Sequence, residues 1–492
     1  MKKYLAVFFA VLMLASCFFT GCAEKKDPAT TTGDGTGDGT TAPETEVVTE
    51  VSDDLPETSF KGREFRVLLQ EQSKTDVYTE DHETSDPLHD AVFRRNNNVI
   101  DRFGIDLIVE YNEYSAVNAA ISRSVKAGSN DYDLCFVHMV SGAALAQSNE
   151  VLPFELLPYV NLEKPWWDKD IRNGFSIRNN LMMVNGDISP VSFSITSCLY
   201  FNKKILTSLD LEFPYELVRS GDWTFDKFIE YTKDFTADGD GDGKISSDST
   251  KDTFGLSSWY LDVPYSFYYA AGGMLVSKDQ DDVPYYDPQL ERDTAIYAKI
   301  YDAIITNNAY YETDTTAAKF PNVAKTFADG RAMFLDAKLA TAEELRDMED
   351  DFGILPVPKL KADQEYKSFV NGASSMVCVP ASVPESNREF VSIIIEALAS
   401  EAYRVVTPVL KETYLKRKMT RDADSADMID YIVRNRVFDM AYVNMHDGVG
   451  SYVRDLLTKG TKDISSKLKS YEKSAKKKVE NIVKAFDKSL SK

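Results

Sequence analysis

The stretch Asn185–Asn202 (NGDISPVSFSITSCLYFN) separates two parts of the chain that differ in composition and in predicted secondary structure. Apolar and hydroxyl-bearing residues alternate along it, so that Val191, Phe193 and Ile195 share one face, and this period of two predicts a strand. Strand and helix patterns alternate before the stretch, whereas paired aromatic residues, an acidic loop and new helices follow it. A strand between two such parts predicts a crossover that joins two α/β lobes.

The part before the crossover contains three strand patterns separated by two helix patterns. The predicted strands are Glu64–Leu69, Ile105–Tyr111 and Asp133–His138, and the predicted helices are Asp90–Phe103 and Ala116–Ala127. Each helix pattern stops at a glycine, Gly104 or Gly128, which is a common helix end. This alternation predicts an open α/β sheet whose ligand lies beyond the carboxyl ends of its strands, where His138 falls.

The part after the crossover contains the patterns of a second lobe and of a return to the first. Its predicted helices are Trp223–Phe235, Asp293–Asn307, Ala317–Phe327, Glu343–Met348, Glu389–Ser400 and Met428–Phe438, and its predicted strands are Gly353–Val357 and Ser375–Val379. A chain of 492 residues has room for two hydrophobic cores, because single cores stop growing at roughly 250–300 residues. We predict an N-terminal lobe from residues 60–190 and 334–395, and a C-terminal lobe from residues 191–333 and 396–492.

The last predicted helix, Ile464–Phe486, carries apolar residues at three- and four-residue spacing with lysines between them. This amphipathic pattern predicts a terminal helix that docks on its own domain. A helix that binds a membrane surface or a partner protein is the alternative.

The N-terminus predicts export and lipid anchoring. A short positively charged start precedes an apolar run, Tyr4–Leu14, that is too short to span a bilayer and is typical of a signal peptide. Cys17 and Cys22 each follow small residues, as in the processing site of bacterial lipoproteins. Cys22 is the better candidate for lipidation because a polar segment follows it at once; Cys17 and an ordinary secretory signal peptide are the alternatives. We expect a signal peptide over residues 1–22 and a mature protein anchored at the extracellular face of the cell membrane.

Composition supports three further predictions, which concern a disordered segment, the class of partner and the state of the cysteines. Residues 23–59 are mostly Thr, Gly, Asp, Glu and Pro, and such a segment buries too little apolar surface to order itself, so we predict a disordered tether. The net charge of −22 argues against a nucleic-acid partner. Cys135, Cys198 and Cys378 lie in apolar runs that fit no metal-ligand spacing, which predicts buried, unpaired thiols.

The sharpest local motif is an acidic loop, DGDGDGKI, that begins at Asp238. It alternates carboxylates with glycines in the pattern of a calcium-binding loop, where oxygen ligands surround a hard cation and Gly243 permits the sharp turn. Position 12 of the pattern is Ser249 rather than glutamate, so the last carboxylate would come from a neighbouring aspartate. The predicted ligands are Asp238, Asp240, Asp242, the carbonyl of Lys244, and Asp248 or Asp252. We predict a structural Ca²⁺ ion, with an acidic loop that binds no ion as the alternative.

A set of neighbouring aromatic residues is the second chemical signal. Trp166 and Trp167 lie in a proline-flanked loop, and Trp259, Tyr260 and Tyr265 precede a Gly-Gly turn. Aromatic rings stack on the C–H faces of sugars while nearby polar side chains bind the hydroxyls, so these residues predict a carbohydrate site. The alternative for each of them is a place in the hydrophobic core.

The chain contains no catalytic motif that we recognise. Its four histidines form no HExxH pattern, and neither GxSxG nor GxxxxGK[ST] occurs. We therefore predict that the protein is not an enzyme. Paired carboxylates for glycoside hydrolysis come together only in space, which leaves a secreted carbohydrate-active enzyme as the alternative.

Several segments form a set that is typical of one protein family. They are DAVFRRNNNVIDRFGIDLIVE, AGSNDYDLCFVH, PYVNLEKPWWDKD, NGDIS with LYFNKKIL, GDWTFDKFIEYTKDF, DGDGDGK before FGL, AAGG, and TFADGRAMF followed by FGILPVPK. Together with the lipoprotein-like start, they resemble the extracellular solute-binding proteins of bacterial ABC importers, the group that includes maltose-binding protein. The resemblance covers roughly residues 60–460.

This resemblance implies a type II periplasmic-binding-protein-like fold, in which two α/β lobes joined by a hinge close on a ligand. It also implies that the partners are the permease subunits of an ABC transporter and that the protein catalyses no reaction. The aromatic residues, together with the usual ligands of the family, imply a mono- or oligosaccharide ligand. By their positions in the shared segments, the cleft residues would be His138, Trp166, Trp167, Asp187, Ser189, Trp259, Tyr260, Tyr265 and Asp336. We expect a monomer, and a receptor that signals to a membrane sensor is a further alternative.

Overall fold

Strands and helices alternate along the residues that this computed structural model describes, 51–78, 86–313 and 320–490. The strands are β1 Arg63–Gln70, β2 Ile105–Asn112, β3 Leu134–His138, β4 Ser197–Asn202, β5 Phe254–Trp259, β6 Val276–Lys278, β7 Pro284–Tyr286, β8 Tyr310–Glu312, β9 Ala332–Lys338, β10 Phe352–Leu355, β11 Ser368–Phe369, β12 Ser375–Cys378 and β13 Arg436–Val437.

The helices fall between these strands and fill the C-terminal part. They are α1 Pro87–Phe103, α2 Tyr114–Ala127, α3 Met139–Gln147, α4 Lys169–Phe175, α5 Val191–Ser194, α6 Lys203–Ser208, α7 Tyr215–Ser220, α8 Phe225–Thr232, α9 Val263–Ala270, α10 Leu290–Tyr301, α11 Phe320–Ala328, α12 Glu385–Glu401, α13 Ala423–Arg434, α14 Met440–Asn444, α15 Tyr452–Thr458 and α16 Ile464–Leu490. Short 3-10 helices span Glu71–Val77, Phe154–Leu156, Leu339–Glu343 and Val449–Ser451, and π-helical turns span Asp302–Thr306, Ala402–Val406 and Val409–Lys418.

A sheet with the strand order β12-β3-β1-β2 forms the first lobe. β1 pairs in parallel with β2 and β3, whereas β12 pairs antiparallel with β3. α1 and α2 end at Gly104 and Gly128, whose φ angles of 59° and 67° lie in the left-handed region that glycine adopts without strain. The three strands and two helices predicted before the crossover are confirmed.

A sheet with the strand order β10-β4-β9-β5-β8 forms the second lobe. β4 runs antiparallel to β10 and β9, and β5 runs parallel to β9 and β8. Every residue of β4 is buried, because strands cover both its edges and helices cover the sheet. The two separate sheets, each covered by helices, confirm the predicted two-lobed α/β fold.

The stretch Asn185–Asn202 is a strand only in its second half, β4. Its middle forms a helical turn, α5, because nearby hydroxyl and carboxylate groups bind the local backbone. Asp76 accepts the Val191 N–H at 3.0 Å, and the Ser194 hydroxyl donates to the Val191 carbonyl at 2.8 Å. The alternation of apolar and hydroxyl residues in this part therefore reflects turn chemistry, and the predicted strand was too long.

The chain passes between the lobes a second time at Val370 and Asn371, beside the first crossing. Val370 bridges to Thr196, and the Asn371 N–H donates to the Ile195 carbonyl at 3.3 Å. The predicted division gave residues 334–395 to the N-terminal lobe, whereas β10 and all of β9 pair within the second sheet. The sequence of a short apolar strand does not show which sheet the strand joins, so these two strands could not be assigned to a lobe from the sequence.

Two predicted helices differ from the structure at their boundaries. The predicted helix Glu343–Met348 is instead the end of a 3-10 helix, Leu339–Glu343, followed by turns. The predicted helix Met428–Phe438 stops at Arg434, after which β13 pairs in parallel with β11. In the second case a tertiary strand pairing overrides an apolar pattern that would otherwise continue the helix.

The fold begins before the position that the composition predicted. Asp53 is 8% exposed, and its carboxylate pairs with Arg102 at 2.6 Å. The predicted disordered tether is therefore wrong for residues 53–59, which this ion pair holds against α1. The signal peptide, Cys17, Cys22 and residues 23–50 lie outside the described residues, and Cys135, Cys198 and Cys378 are free and buried as predicted.

The terminal helix α16 docks on its own chain, as predicted, and it contacts both lobes. Its apolar stripe is buried at Ile464, Leu468, Ala475, Val479, Ile482 and Phe486. It packs against β7, α10 and α15 of the second lobe and against α3 of the first. The Lys478 ammonium donates to the Gln147 side chain at 2.7 Å, which ties the helix to the first lobe. Within the described part of the chain, no helix is both long and apolar enough to cross a membrane.

Candidate ligand-binding cleft

The candidate site lies where carboxyl ends of strands from both sheets meet the second crossing. β3 ends at His138, and the backbone N–H that follows it donates to the Ser374 carbonyl at 2.8 Å. β5 ends at Trp259, and Asp262 beyond it accepts a hydrogen bond from the Asn371 side chain at 2.8 Å. The crossing therefore contacts the strand ends of each lobe, and such strand ends are where open α/β sheets bind ligands.

His138 and Tyr114 form the first-lobe side of this cleft. Their ring centroids are 4.8 Å apart, and the Tyr114 side chain is exposed. Burial, together with the nearby His446, lowers the pKa of His138 to about 4, so the imidazole is neutral at physiological pH. Its Nδ1 accepts the Ser141 N–H at 3.3 Å, which leaves the proton on Nε2 as a hydrogen-bond donor.

Trp259 and Tyr260 form the second-lobe side of the cleft. Both rings are partly exposed, and they meet edge to face with centroids 5.4 Å apart. Behind them, Asp262 is buried and lies 3.8 Å from the Lys338 ammonium at the end of β9. Burial raises the pKa of Asp262, while Lys338 and the Asn371 amide favour its charged form. This side of the cleft therefore places aromatic rings next to hydrogen-bond donors and acceptors.

Sequence reasoning missed the contribution of the segment after α14. The His446 ring lies 5.8 Å from Tyr265 and 5.2 Å from Tyr442, and its Nδ1 is buried without a hydrogen-bond partner among the described residues. Burial lowers the pKa of His446, so this ring is also neutral. Gly450 marks a close approach in this segment, because an added Cβ would lie 2.3 Å from the Ala441 carbonyl oxygen.

Trp166 and Trp167, which were predicted to line the cleft, belong to the core of the first lobe. They are 1% and 3% exposed, and their indole N–H groups donate to the two carboxylate oxygens of Glu396, each at 3.0 Å. Burial raises the pKa of Glu396 to about 7, although the two indole donors favour its charged form. Because both rings are buried and both indole N–H groups donate to Glu396, neither tryptophan is available to a solute in this conformation.

Asp187 and Ser189 lie at the first crossing, and both are buried. The Ser189 hydroxyl donates to Asp76 at 2.9 Å, and burial raises the pKa of Asp187 to about 7. These side chains hold the crossing in place. The structure does not put them on the exposed surface of the cleft.

Tyr265 and Asp336 lie beneath the second-lobe side of the cleft. Tyr265 is 2% exposed, and its hydroxyl bonds to the Ser451 hydroxyl at 2.8 Å. Asp336 accepts the Ser266 hydroxyl at 2.7 Å, and burial raises its pKa well above the usual range. Of the nine predicted cleft residues, the structure leaves His138, Trp259 and Tyr260 partly exposed at the cleft.

The acidic loop is a separate candidate site, for a metal ion. Asp238, Asp240 and Asp252 each place a carboxylate oxygen within 4.8 Å of the others, whereas the carboxylates of Asp242 and Asp248 are not part of this group. The predicted contribution of the Lys244 carbonyl stays a prediction. Asp238 accepts the N–H groups of Gly241 and Gly243, at 2.7 and 2.8 Å, and these bonds lower its pKa. Three close carboxylates are a donor set that suits a hard cation such as Ca²⁺.

Comparison with known protein families gives one match. Residues 97–387 match the family described as bacterial extracellular solute-binding protein. No curated protein sequence matches the chain.

Solved structures with the same fold include three ABC-transporter binding proteins. One from Agrobacterium radiobacter K84, in complex with ribitol, is 13% identical, with a TM-score of 0.52, over 85% of this chain and 99% of its own. One from Listeria monocytogenes, in complex with cycloalternan, is 11% identical, with a TM-score of 0.50, over 87% and 100%. One from Thermotoga lettingae TMO, bound with α-D-tagatose, is 12% identical, with a TM-score of 0.50, over 86% and 100%. At these identities the likeness concerns the fold.

Proposed function

Because the chain belongs to the family of bacterial extracellular solute-binding proteins, we propose that it captures a solute in the cleft between its lobes and delivers it to the permease of an ABC transporter. The observation that carries this proposal is the position of Trp259 and Tyr260. Their rings are partly exposed at the carboxyl end of β5, and His138 and Tyr114 lie at strand ends of the other lobe. A solute held between these two pairs would contact both lobes, and hinge closure would then sequester it.

We propose that the solute is a mono- or oligosaccharide. A sugar ring needs aromatic faces for its C–H groups and uncharged or paired polar groups for its hydroxyls. The cleft offers Trp259 and Tyr260 for the first need, and the neutral imidazoles of His138 and His446 for the second. The proteins of similar fold named above were solved with ribitol, cycloalternan and α-D-tagatose, which agrees with this class.

We further propose that the mature chain is held at the extracellular face of the membrane by a lipid on Cys22 and works as a monomer. The short apolar run Tyr4–Leu14, the small residues before Cys22 and the polar segment after it support this anchor. Mass spectrometry of the membrane-bound protein would test it. A lipid on Cys17, or a mature chain that begins elsewhere without lipid, would contradict the assignment.

Ca²⁺ in the acidic loop is proposed as a structural ion. Asp238, Asp240 and Asp252 would hold it, and its charge would offset the repulsion between their carboxylates. Asp252 also accepts the N–H groups of Gly239 and Ser246, at 2.9 and 2.8 Å, so one side chain already closes the loop on itself. The ion would stiffen a surface segment that leads into β5, and it would take no part in solute chemistry.

A thermal-shift screen of residues 23–492 tests the proposed function. The compounds are polyols, mono- and oligosaccharides, amino acids and short peptides, each with Ca²⁺ and with a chelator. A solute at about 100 times its dissociation constant should stabilise the fold by about 2.7 kcal/mol. A shift with one sugar class, and recovery of that sugar intact, is expected. A shift with amino acids or peptides alone would overturn the carbohydrate assignment, and cleaved sugar would overturn the receptor assignment.

A further inference from the structure

The terminal helix α16 is the most basic element in an acidic protein. It contains eight lysines and three acidic residues, a net charge of +5, in a chain whose net charge is −22. Its apolar stripe is buried against both lobes, so the docking that the sequence predicted leaves the opposite face of the helix open. The function of the cleft does not explain this concentration of positive charge.

The lysines of α16 gather on one face. At 3.6 residues per turn, six of them fall within an arc of about 120° directly opposite the buried stripe. We call this face the lysine ridge, and its members are Lys469, Lys473, Lys476, Lys477, Lys484 and Lys488. Two of the three acids of α16 are paired, Glu472 with Lys476 at 2.6 Å and Asp487 with Arg178 at 2.5 Å, and the third, Glu480, lies among the lysines of the ridge. The six lysines still outnumber the acids on this face, and they present a positive strip that runs about 29 Å along the helix axis.

A second feature lies beside the lysine ridge. The hairpin of β6 and β7 and the flank of α16 form a shallow groove of about 520 Å³. Its lining is apolar and aromatic, with two lysines and two acids, and includes Val283, Tyr285, Val483, Lys476, Lys484, Glu480 and Asp487. Tyr285 is 47% exposed, which is unusual for a large aromatic side chain on this protein. An exposed tyrosine and partly exposed valines beside lysines match the depth profile of a membrane interface, where aromatic rings lie at headgroup level and lysines reach phosphates.

We propose that the lysine ridge and Tyr285 hold the protein against an anionic bilayer surface. Each lysine close to such a surface contributes an attraction that falls off within a Debye length, and a rigid helix presents several at once. The rest of the chain is acidic and is repelled by the same surface, so this one face would set the orientation of the lobes at the membrane. The attraction does not depend on which solute the cleft binds.

Binding to lipid vesicles tests this proposal. Residues 23–492 include all the described elements, and residues 53–492 form one compact unit, so the lipid-free chain is a suitable sample. Co-sedimentation would compare vesicles of phosphatidylcholine alone with vesicles that also contain phosphatidylglycerol. We expect binding to the second kind only, and its loss at high ionic strength.

A matched pair of variants locates the binding face. Lys473, Lys477 and Lys484 form no ion pair within the described part of the chain, and glutamine keeps the helix propensity. The variant K473Q/K477Q/K484Q should bind anionic vesicles about 100-fold more weakly. The control K169Q/K233Q/K361Q removes the same charge from exposed sites elsewhere and should bind as the unaltered chain does.

Three outcomes would overturn the proposal. The first is equal weakening in both triple variants, which would mean that only net charge matters. The second is equal binding to neutral and anionic vesicles. The third is binding that is detected only after residues 23–52 are removed, because the acidic start of the mature chain would then be the true occupant of the ridge. A solute screen that fails leaves these results unchanged, so this inference and the proposed function can fail separately.

Discussion

Two pairs of neighbouring aromatic residues look alike in the sequence and have opposite roles in the structure. Trp166 and Trp167 are sealed in the first lobe, where Glu396 accepts both indole N–H groups. Trp259 and Tyr260 end a strand of the second lobe and keep part of their rings exposed at the cleft. The difference lies in the partner, since a carboxylate 230 residues away in the chain decides that the first pair is core. Whether an aromatic pair faces a ligand or the core is therefore decided by distant residues that its own sequence does not show.

The buried pair should matter most for stability. Trp166→Ala removes a fully buried side chain and should lower the free energy of unfolding by about 3–5 kcal/mol. Urea denaturation followed by circular dichroism measures this loss, and solute affinity in the folded fraction should not change. If the Trp166→Ala variant kept its stability but lost solute binding, the assignment of this pair to the core would be wrong.

Glu396 should carry part of this stability in a pH-dependent way. Glu396→Gln replaces one acceptor by an amide donor that faces an indole N–H, which should cost about 1–3 kcal/mol. The folded pKa of about 7 lies above the ordinary value of 4.5, so the folded state binds more protons and the unaltered protein loses stability as pH rises towards 8. Because glutamine does not titrate, the difference between the two proteins should be largest near pH 5 and should shrink as pH rises.

Denaturation of both proteins at several pH values measures this difference. Glu389→Gln, at an exposed position of the same helix, is the control and should change stability by less than about 0.5 kcal/mol. A gap that widens with pH would show that Glu396 is ionised in the fold at all these pH values, and the account of the indole pair would then be wrong.

The exposed pair should matter for binding and little for folding. Trp259→Ala removes an aromatic face at the cleft and should weaken solute binding about 10- to 100-fold. Isothermal titration with the sugar found in the thermal-shift screen measures the change. Tyr285→Ala, at an exposed aromatic residue of the β6–β7 hairpin that is not among the cleft residues, should leave the affinity unchanged. Equal affinities for the Trp259→Ala variant and the unaltered protein would remove Trp259 from the site.

The smallest expected effect concerns the acidic loop that leads into β5. With millimolar Ca²⁺ and a dissociation constant of 0.1–1 mM, the ion should stabilise the fold by about 0.4–1.4 kcal/mol. Asp240→Asn should abolish this increment, while Asp248→Asn, outside the group of three carboxylates, should retain it. Thermal denaturation with Ca²⁺ and with a chelator separates the two. Equal stability in both solutions would mean that the loop holds no ion.

The sequence predicted the elements of the first lobe well because its helices and strands carry complete local signals. α1 and α2 have apolar periodicity and glycine ends, and β3 is an apolar run of strand length. The same reasoning failed where tertiary pairing decides: Arg436–Val437 joins β11, and Asp53 is fixed by Arg102. No local pattern encodes either partner.

Part of the site could be predicted because the ends of strands are also encoded by local patterns. The ends of β3 and β5 follow from strand periodicity, so His138, Trp259 and Tyr260 could be placed near a cleft. The burial of Trp166 and Trp167 depends on Glu396, and the approach of His446 depends on how the C-terminal segment returns between the lobes. These are contacts over more than 180 residues, which only the folded chain reveals.

The order of strands in the first sheet also bears on how the protein is made. β12 comes from residues 375–378 and completes a sheet whose other three strands end by residue 138. A growing chain therefore exposes the open edge of β3 until most of the protein has been synthesised, and it cannot complete the first sheet before then. Contacts of such high sequence separation slow folding. A chain that cannot close its first lobe early would stay unfolded long enough to be threaded across a membrane.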